Sequence, residues 1–272
     1  MRHWMESAGW LQGSIVKNED VAQLLKLANK LELIDEPEIV LIVASGSCDI
    51  ANNSDPILEF SVGRRINKID GNFSLNKNPR RLQCRVESSA DLSQVNLELK
   101  AYEKIVIIKD AISHEIRPDN TMQFTQYEMN FYVEWLAGRY KRPAFPTEFD
   151  KRIDNAWDKS KRKKAAAKVS EKLIGIYAKV YPDSEISEDK NYAVDLLALT
   201  IEDLKDSDKD EIEKLINQYR SALLAARMDV GKPIIASEFK VSVGKLRQYK
   251  RFNLDELSYK NDDPLPPEIN LT

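Results

Sequence analysis

Histidine and cysteine are almost absent from this 272-residue chain: there are two of each, His3, His114, Cys48 and Cys84. No CxxC or HxxxH pair is present to seed a zinc site, so a structural zinc is not expected. Two cysteines in a chain of this length point to free thiols in a reducing, cytoplasmic setting. Glycine is scarce as well, at 9 residues, which argues against low complexity and against a Gly-rich phosphate loop. No P-loop, GxSxG or HExxH motif occurs. Long apolar runs are also missing. The longest, Ile39 to Ala44, is far too short to span a bilayer, and Met1 to Gly13 lacks the apolar stretch of a signal peptide. No membrane partner is expected.

What is present is a globular composition, 42% hydrophobic and 31% charged, which can fill a core without disulfide or metal staples. The net charge of −3 does not announce a nucleic-acid binder, but its distribution is uneven. Between Phe60 and Val86 stand Arg64, Arg65, Lys68, Lys77, Arg80, Arg81 and Arg85 against the single acid Asp70. Between Glu202 and Glu213 there are seven acids against Lys205 and Lys209.

Periodicity gives an α+β chain. Residues 1–120 read as a strand-rich domain. The run Ile39 to Ala44 forms a buried strand, ending in a turn at Ser45-Gly46-Ser47-Cys48-Asp49. Ile57 to Val62, Arg81 to Val86 and Val95 to Leu99 alternate as half-buried strands, followed by an apolar stretch at Ile105 to Ile108. Helical spacing of apolar residues appears at Asp20 to Leu33. Residues 121–168 read as a helical connector. One helix carries Phe124, Tyr127, Phe131 and Trp135, and prolines break it at Arg142 to Pro146. The next is capped by Thr147, carries Phe149, Ile153 and Trp157, and continues to Lys168. Residues 169–260 read as a β-β-α-β unit. Its strands are Leu173 to Tyr181, Tyr192 to Ile201 and Ile234 to Val243. Its helix, capped by Ser207 or Asp208, has Ile212, Leu215, Ile216, Tyr219 and Leu223 on one face. Residues 261–272 read as an extended tail.

Four constellations are candidates for chemistry. Cys48 beside Asp49 at the end of a buried strand is a place for a nucleophile. Asp49 would raise the thiol pKa, however, and only His114 is available as a base; Cys48 packing as a small apolar residue is the competing reading. Glu98 and Lys100 share a strand face and could serve a divalent metal such as Mg²⁺, the one cofactor contemplated, with Glu59, Asp70 or Asp91 as a third acid. The basic block offers Arg64, Arg65, Lys77, Arg80, Arg81 and Arg85 to phosphates, with Asn72, Phe73, Asn76 and Asn78 interleaved to stack on or hydrogen-bond single-stranded bases. The competing reading pairs that block with the acids around Asp206. Finally, Arg139 and Arg142 follow a helix C-terminus, where the macrodipole suits them.

Three resemblances add expectations. Ser45-Gly46-Ser47-Cys48-Asp49-Ile50 with Trp135 to Phe149 resembles uncharacterised bacterial proteins with a SQxCDI…WLAxRYxRPAxPxxF pattern, Gly46 standing where that pattern has Gln. This implies association with antiviral defence or toxin–antitoxin genes. Gln12 to Val16 followed by Ile39 to Ser45 is similar to the opening of PemK/MazF-type toxin ribonucleases, with Ser14 where they carry Asp; this implies a small SH3-like barrel. Glu98-Leu99-Lys100 resembles the ExK pair of PD-(D/E)xK nucleases, which implies a metal-dependent nuclease. The function expected is a nucleic-acid-facing component of such a system; the alternatives are a non-enzymatic protein-interaction adaptor and that nuclease.

Overall fold

The computed structural model describes residues 3–138, 145–201 and 204–252. The chain is mixed α+β and divides into two compact units, with the boundary at residues 140/141. The first unit contains α1 (Trp4–Ser7), α2 (Asn18–Leu27), β1 (Ile39–Val43), α3 (Ser47–Ala51), β2 (Ile57–Ile66), β3 (Arg81–Ser88), β4 (Gln94–Ile108), β5 (Met122–Gln123) and α4 (Gln126–Gly138). The other contains α5 (Thr147–Ala156), α6 (Lys159–Ala167), β6 (Leu173–Tyr181), β7 (Ala193–Thr200), α7 (Asp206–Ala225), β8 (Asp229–Val230), β9 (Ile234–Ser237), α8 (Val243–Leu246) and β10 (Lys250–Phe252).

In the first unit five antiparallel strands run in the order β1-β2-β4-β3-β5. β1 is buried along its whole length because both of its faces are covered. Ile39, Leu41 and Val43 join a core with Met5, Trp10, Leu24, Leu25 and Phe60, whereas Val40 and Ile42 join a second core with Leu82, Cys84, Leu97, Tyr132 and Trp135. That is why its sequence is a continuous apolar run rather than an alternation. Residues 13–16 lie along the outer edge of β1: Gly13 N–H donates to Val43 O (2.9 Å), Val43 N–H to Ser14 O (2.9 Å) and Val16 N–H to Leu41 O (3.0 Å). The same segment reaches residues 118–119, since Asp119 N–H donates to Ile15 O (2.7 Å) and Val16 bridges Pro118. With β5 on β3, these bridges curl the sheet on itself. Gly13 is required here. Its φ is +85°, and an added Cβ would lie 2.4 Å from Met129 Sδ.

Several local expectations are corrected. The Asp20–Leu33 helix stops at Leu27, because Asn29 turns left-handed (φ 54°). Lys30 N–H then donates to Leu25 O and Asn29 N–H to Lys26 O, a Schellman ending. The strand expected at 95–99 and the apolar stretch at 105–108 belong to one strand, β4. β2 advances only from Ser61 to Gly63 while the register on β4 jumps from Lys104 to Leu99, so residues 100–103 bulge out. The turn after β1 is the short helix α3. On α4 Tyr132 is fully buried along with Trp135, whereas Tyr127 is 40% exposed.

The expected connector 121–168 is divided. α4 packs its Tyr132 and Trp135 into the first unit, while α5 and α6 contribute Phe149, Ile153 and Ala166 to the core of the other. The single helix expected from Thr147 to Lys168 breaks at Trp157 (φ −147°), and Asp158 caps α6 by accepting from Lys161 N–H. Nor does Thr147 cap α5: the Glu185 carboxylate accepts from Thr147 N–H (2.5 Å) and Glu148 N–H (3.1 Å). The β-β-α-β order holds. β6 and β7 form a hairpin, α7 crosses over, and β8 and β9 pair parallel to β7. The strand expected at Ile234 to Val243 is the shorter β9, ending at Ser237, and a further strand, β10, pairs with β6. The proline break at 142–146 lies partly, and the tail and the Arg139/Arg142 pair wholly, outside the described residues.

Candidate nucleic-acid interface

The basic block spans the end of β2, the loop 67–80 and β3, and the fold treats its members differently. Lys77 is buried. Its ammonium donates to Gly71 O (2.7 Å), holding the loop from inside, so it does not face a ligand. Arg64 is clamped between Glu36 (2.8 Å) and Glu103. Burial works against its charge, but the two carboxylates outweigh that and hold its pKa above the ordinary value. The β4 bulge is where Glu103 sits. Arg65 pairs with Glu38 at 3.6 Å. Glu36, Glu38 and Glu103 are thus counter-charges for Arg64 and Arg65, and Asp208 pairs with Lys172 within its own unit.

Arg80, Arg81 and Arg85 lie on or beside the polar face of β3. Leu82, Cys84 and Val86 point into the core, so Arg81, Gln83 and Arg85 point the other way. Across the ladder Arg81 lies opposite Lys100, Gln83 opposite Glu98, and Arg85 opposite Asn96. The Arg81 guanidinium sits over the Phe73 ring, 5.4 Å from its centroid. Gln83 ties the loop to the sheet by accepting from Asp70 N–H (2.6 Å) while its amide donates to Glu98 (2.7 Å). Asn78 supports Arg80 and Arg81 by accepting both backbone N–H groups. Beneath this face, Glu128 of α4 accepts from Arg85 N–H. Burial raises its pKa, against the lowering effect of Arg85. Burial also pushes the Cys84 thiol well up, with the charge of Glu128 adding to it.

Glu98 and Lys100 do share a face, as the spacing required, but their surroundings are those of a paired sheet surface. Glu98 accepts from Gln83 and lies opposite Arg64; Lys100 approaches Glu103 (3.8 Å) and the Tyr102 ring (5.8 Å). Of the expected third acids, Asp91 holds its own turn through Ser93, and Asp70 accepts from Asn72. Among the described residues no group of three or more His, Cys, Asp or Glu could hold a metal ion. The Glu98 carboxylate is thus engaged by the Gln83 amide.

Cys48 is exposed on α3 rather than packed as a small apolar residue, and Asp49 beside it is exposed too. His114 is stacked on Trp4 at 4.1 Å. The residue that organises this corner is Lys109, which carries no mark in the sequence. Lys109, 1% exposed, donates from its ammonium to the carbonyls of Asp49 (2.5 Å) and Asn52 (3.0 Å), with Ile50 O at 3.4 Å. It closes the C-terminal end of α3, whose last carbonyls have no helical partner. No sequence signal separates such a lysine from a surface one.

No known family, curated protein or solved structure matches the chain. Among the described residues no helix is long and apolar enough to cross a membrane.

Proposed function

We propose that the chain binds nucleic acid through the polar face of β3 and β4, with Arg80, Arg81 and Arg85 contacting phosphates and Lys100 and Asn96 beside them. The observation that carries this reading is the cross-strand arrangement of Arg81 with Lys100 and of Arg85 with Asn96, flanked by the Arg81–Phe73 pair. Arginine forks match phosphate oxygens, and a cationic sheet face with a nearby aromatic suits a single strand. Arg64, Arg65 and Lys77 are not part of the proposed set: Arg64 is held by Glu36, Arg65 lies beside Glu38, and Lys77 is turned onto Gly71 O. A place in a defence or toxin-type system rests on the sequence resemblance alone.

The test is a salt titration of the full chain with a labelled oligonucleotide. Each phosphate contact contributes a slope of roughly −0.7 for single strands. Arg81→Ala with Arg85→Ala is expected to weaken binding to all sequences alike and to flatten the slope, since phosphate contacts position without specifying. Binding unchanged in that double variant, or absent from the parent chain near physiological salt, rejects the reading.

One observation favours the adaptor alternative. Ile57 pairs across from Ile108 and Glu59 from Val106, which leaves Ile57, Val106 and Ile108 exposed together (37, 47 and 59%). Among the described residues β4 has no strand partner on its other side beyond Lys100. An open edge beside an apolar strip is where a protein strand docks. If this surface serves association, Val106→Lys with Ile108→Lys abolishes self-association of the full chain in sedimentation; a parent that is monomeric at high concentration removes that support.

A further inference from the structure

The C-terminal unit carries a basic run of its own. From Lys232 to Arg251 there are six basic residues, Lys232, Lys240, Lys245, Arg247, Lys250 and Arg251, against the single acid Glu238. The fold engages the last two. Lys250 pairs with Asp183 and lies over the Phe145 ring, and Arg251 donates to Ile174 O (2.5 Å) while lying over Tyr177. Lys232, Lys245 and Arg247 stay exposed.

Phe239 lies in the middle of this run and is 82% exposed, and Val243 is 65% exposed. A fold that displays a phenylalanine forgoes the gain of burying it. The display is also held firmly. Ser237, 4% exposed and paired with Thr200 in the sheet, accepts from Phe239 N–H (3.3 Å). Ser242 accepts from Lys245 N–H (3.2 Å) and caps α8. On α8, Val243 and Arg247 are four residues apart and share a side, while Leu246 is half-buried. The stretch 239–247 thus presents an aromatic ring, an aliphatic side chain and two cations on short, capped elements.

We propose that residues 239–247 form a second contact surface for single-stranded nucleic acid, with a base stacked on Phe239 and phosphates held by Lys245 and Arg247. The inference takes up the nucleic-acid reading but stands on the other unit, so either can fail alone. Stacking on a displayed ring tolerates any base, and flanking cations track the backbone. An anionic membrane surface is the competing chemistry. It is disfavoured because interfacial binding needs a long amphipathic face, and α8 has four residues with one exposed valine.

The experiment uses the full chain with labelled oligothymidylate and oligouridylate of about 20 nucleotides, enough to cover a typical single-strand site, and separately with vesicles containing phosphatidylserine. Phe239→Ala is expected to weaken oligonucleotide binding by about 10-fold, a typical stacking loss, with the salt slope unchanged. Lys245→Ala with Arg247→Ala is expected to flatten the slope by about 1.4, two contacts at roughly 0.7 each. Far-UV circular dichroism checks that the folds are retained. Oligonucleotide affinity unaltered by Phe239→Ala overturns the proposal, as does binding to the vesicles in place of the oligonucleotides. Loss in Phe239→Ala with no loss in Arg81→Ala/Arg85→Ala keeps this surface and rejects the one on β3 and β4; the converse rejects this surface.

Discussion

The basic stretches of the two units are similar in charge and end differently in structure. In the N-terminal unit, Arg64 is held by Glu36 and Glu103, Arg65 by Glu38, and Lys77 is turned inward onto Gly71 O. In the C-terminal unit, Lys245 and Arg247 stay exposed beside a ring that is 82% exposed. The N-terminal stretch runs through a curled sheet, where the lead-in to β1 and the β4 bulge bring carboxylates from distant positions against it. The C-terminal stretch runs through short elements and carries one acid of its own, Glu238. A count of local charge therefore overstates the available cations where non-local strand pairing is dense.

Four measurements break or sharpen this contrast. The largest effect is expected for the buried cation of the N-terminal unit. Lys109→Met removes the donor shared by the Asp49 and Asn52 carbonyls and should cost about 2–3 kcal/mol, the penalty for buried acceptors left unpaired. Urea denaturation of the full chain, followed by probes in each unit, should show the loss in that unit alone. An unshifted midpoint would mean that the capping contributes little.

Next is the clamped arginine. Arg64→Ala should destabilise the N-terminal unit by about 1 kcal/mol, at the upper end for a partly exposed pair, and leave oligonucleotide affinity as it was. A binding loss equal to that of Arg81→Ala would show that Arg64 can leave its carboxylates to meet a phosphate, and the contrast between the two stretches would collapse.

In the C-terminal unit, Glu185 has its pKa lowered by the N–H groups of Glu148 and Thr147, with desolvation acting weakly the other way. Its stabilisation is complete above the ordinary glutamate value and is lost as pH falls through the lower folded value. Glu185→Gln should remove acid-dependent loss of α5 helicity in that window; an unchanged acid melting profile would show that the cap is dispensable.

The smallest effect belongs to Glu128, whose pKa is raised by burial. As pH rises, the unfolded chain ionises this group first, so stability falls between the ordinary value and the higher folded one. Glu128→Gln should therefore give a small gain in melting temperature at neutral pH that disappears in acid. A gain that persists in acid would have another cause.

Much of the fold was legible because it rests on periodic apolar burial. The continuous run of β1, the alternation in β2 and β3, and the 212–223 stripe of α7 are each set by which side of a strand or helix meets the core. Boundaries that depend on a single backbone conformation, such as Asn29 ending α2 and Trp157 splitting α5 from α6, were not.

The sequence alone determined the α+β composition, the two strand-rich regions and the positions of the charged residues. Only the tertiary structure decided which charges are available. Whether Glu36 and Glu103 meet Arg64, whether Lys77 and Lys109 turn inward, and whether Glu98 finds other acids or Gln83 all depend on strand register and on one bulge in β4. Those are long-range pairings. An arginine's charge is written in its residue, but its availability is set by what the chain folds against it.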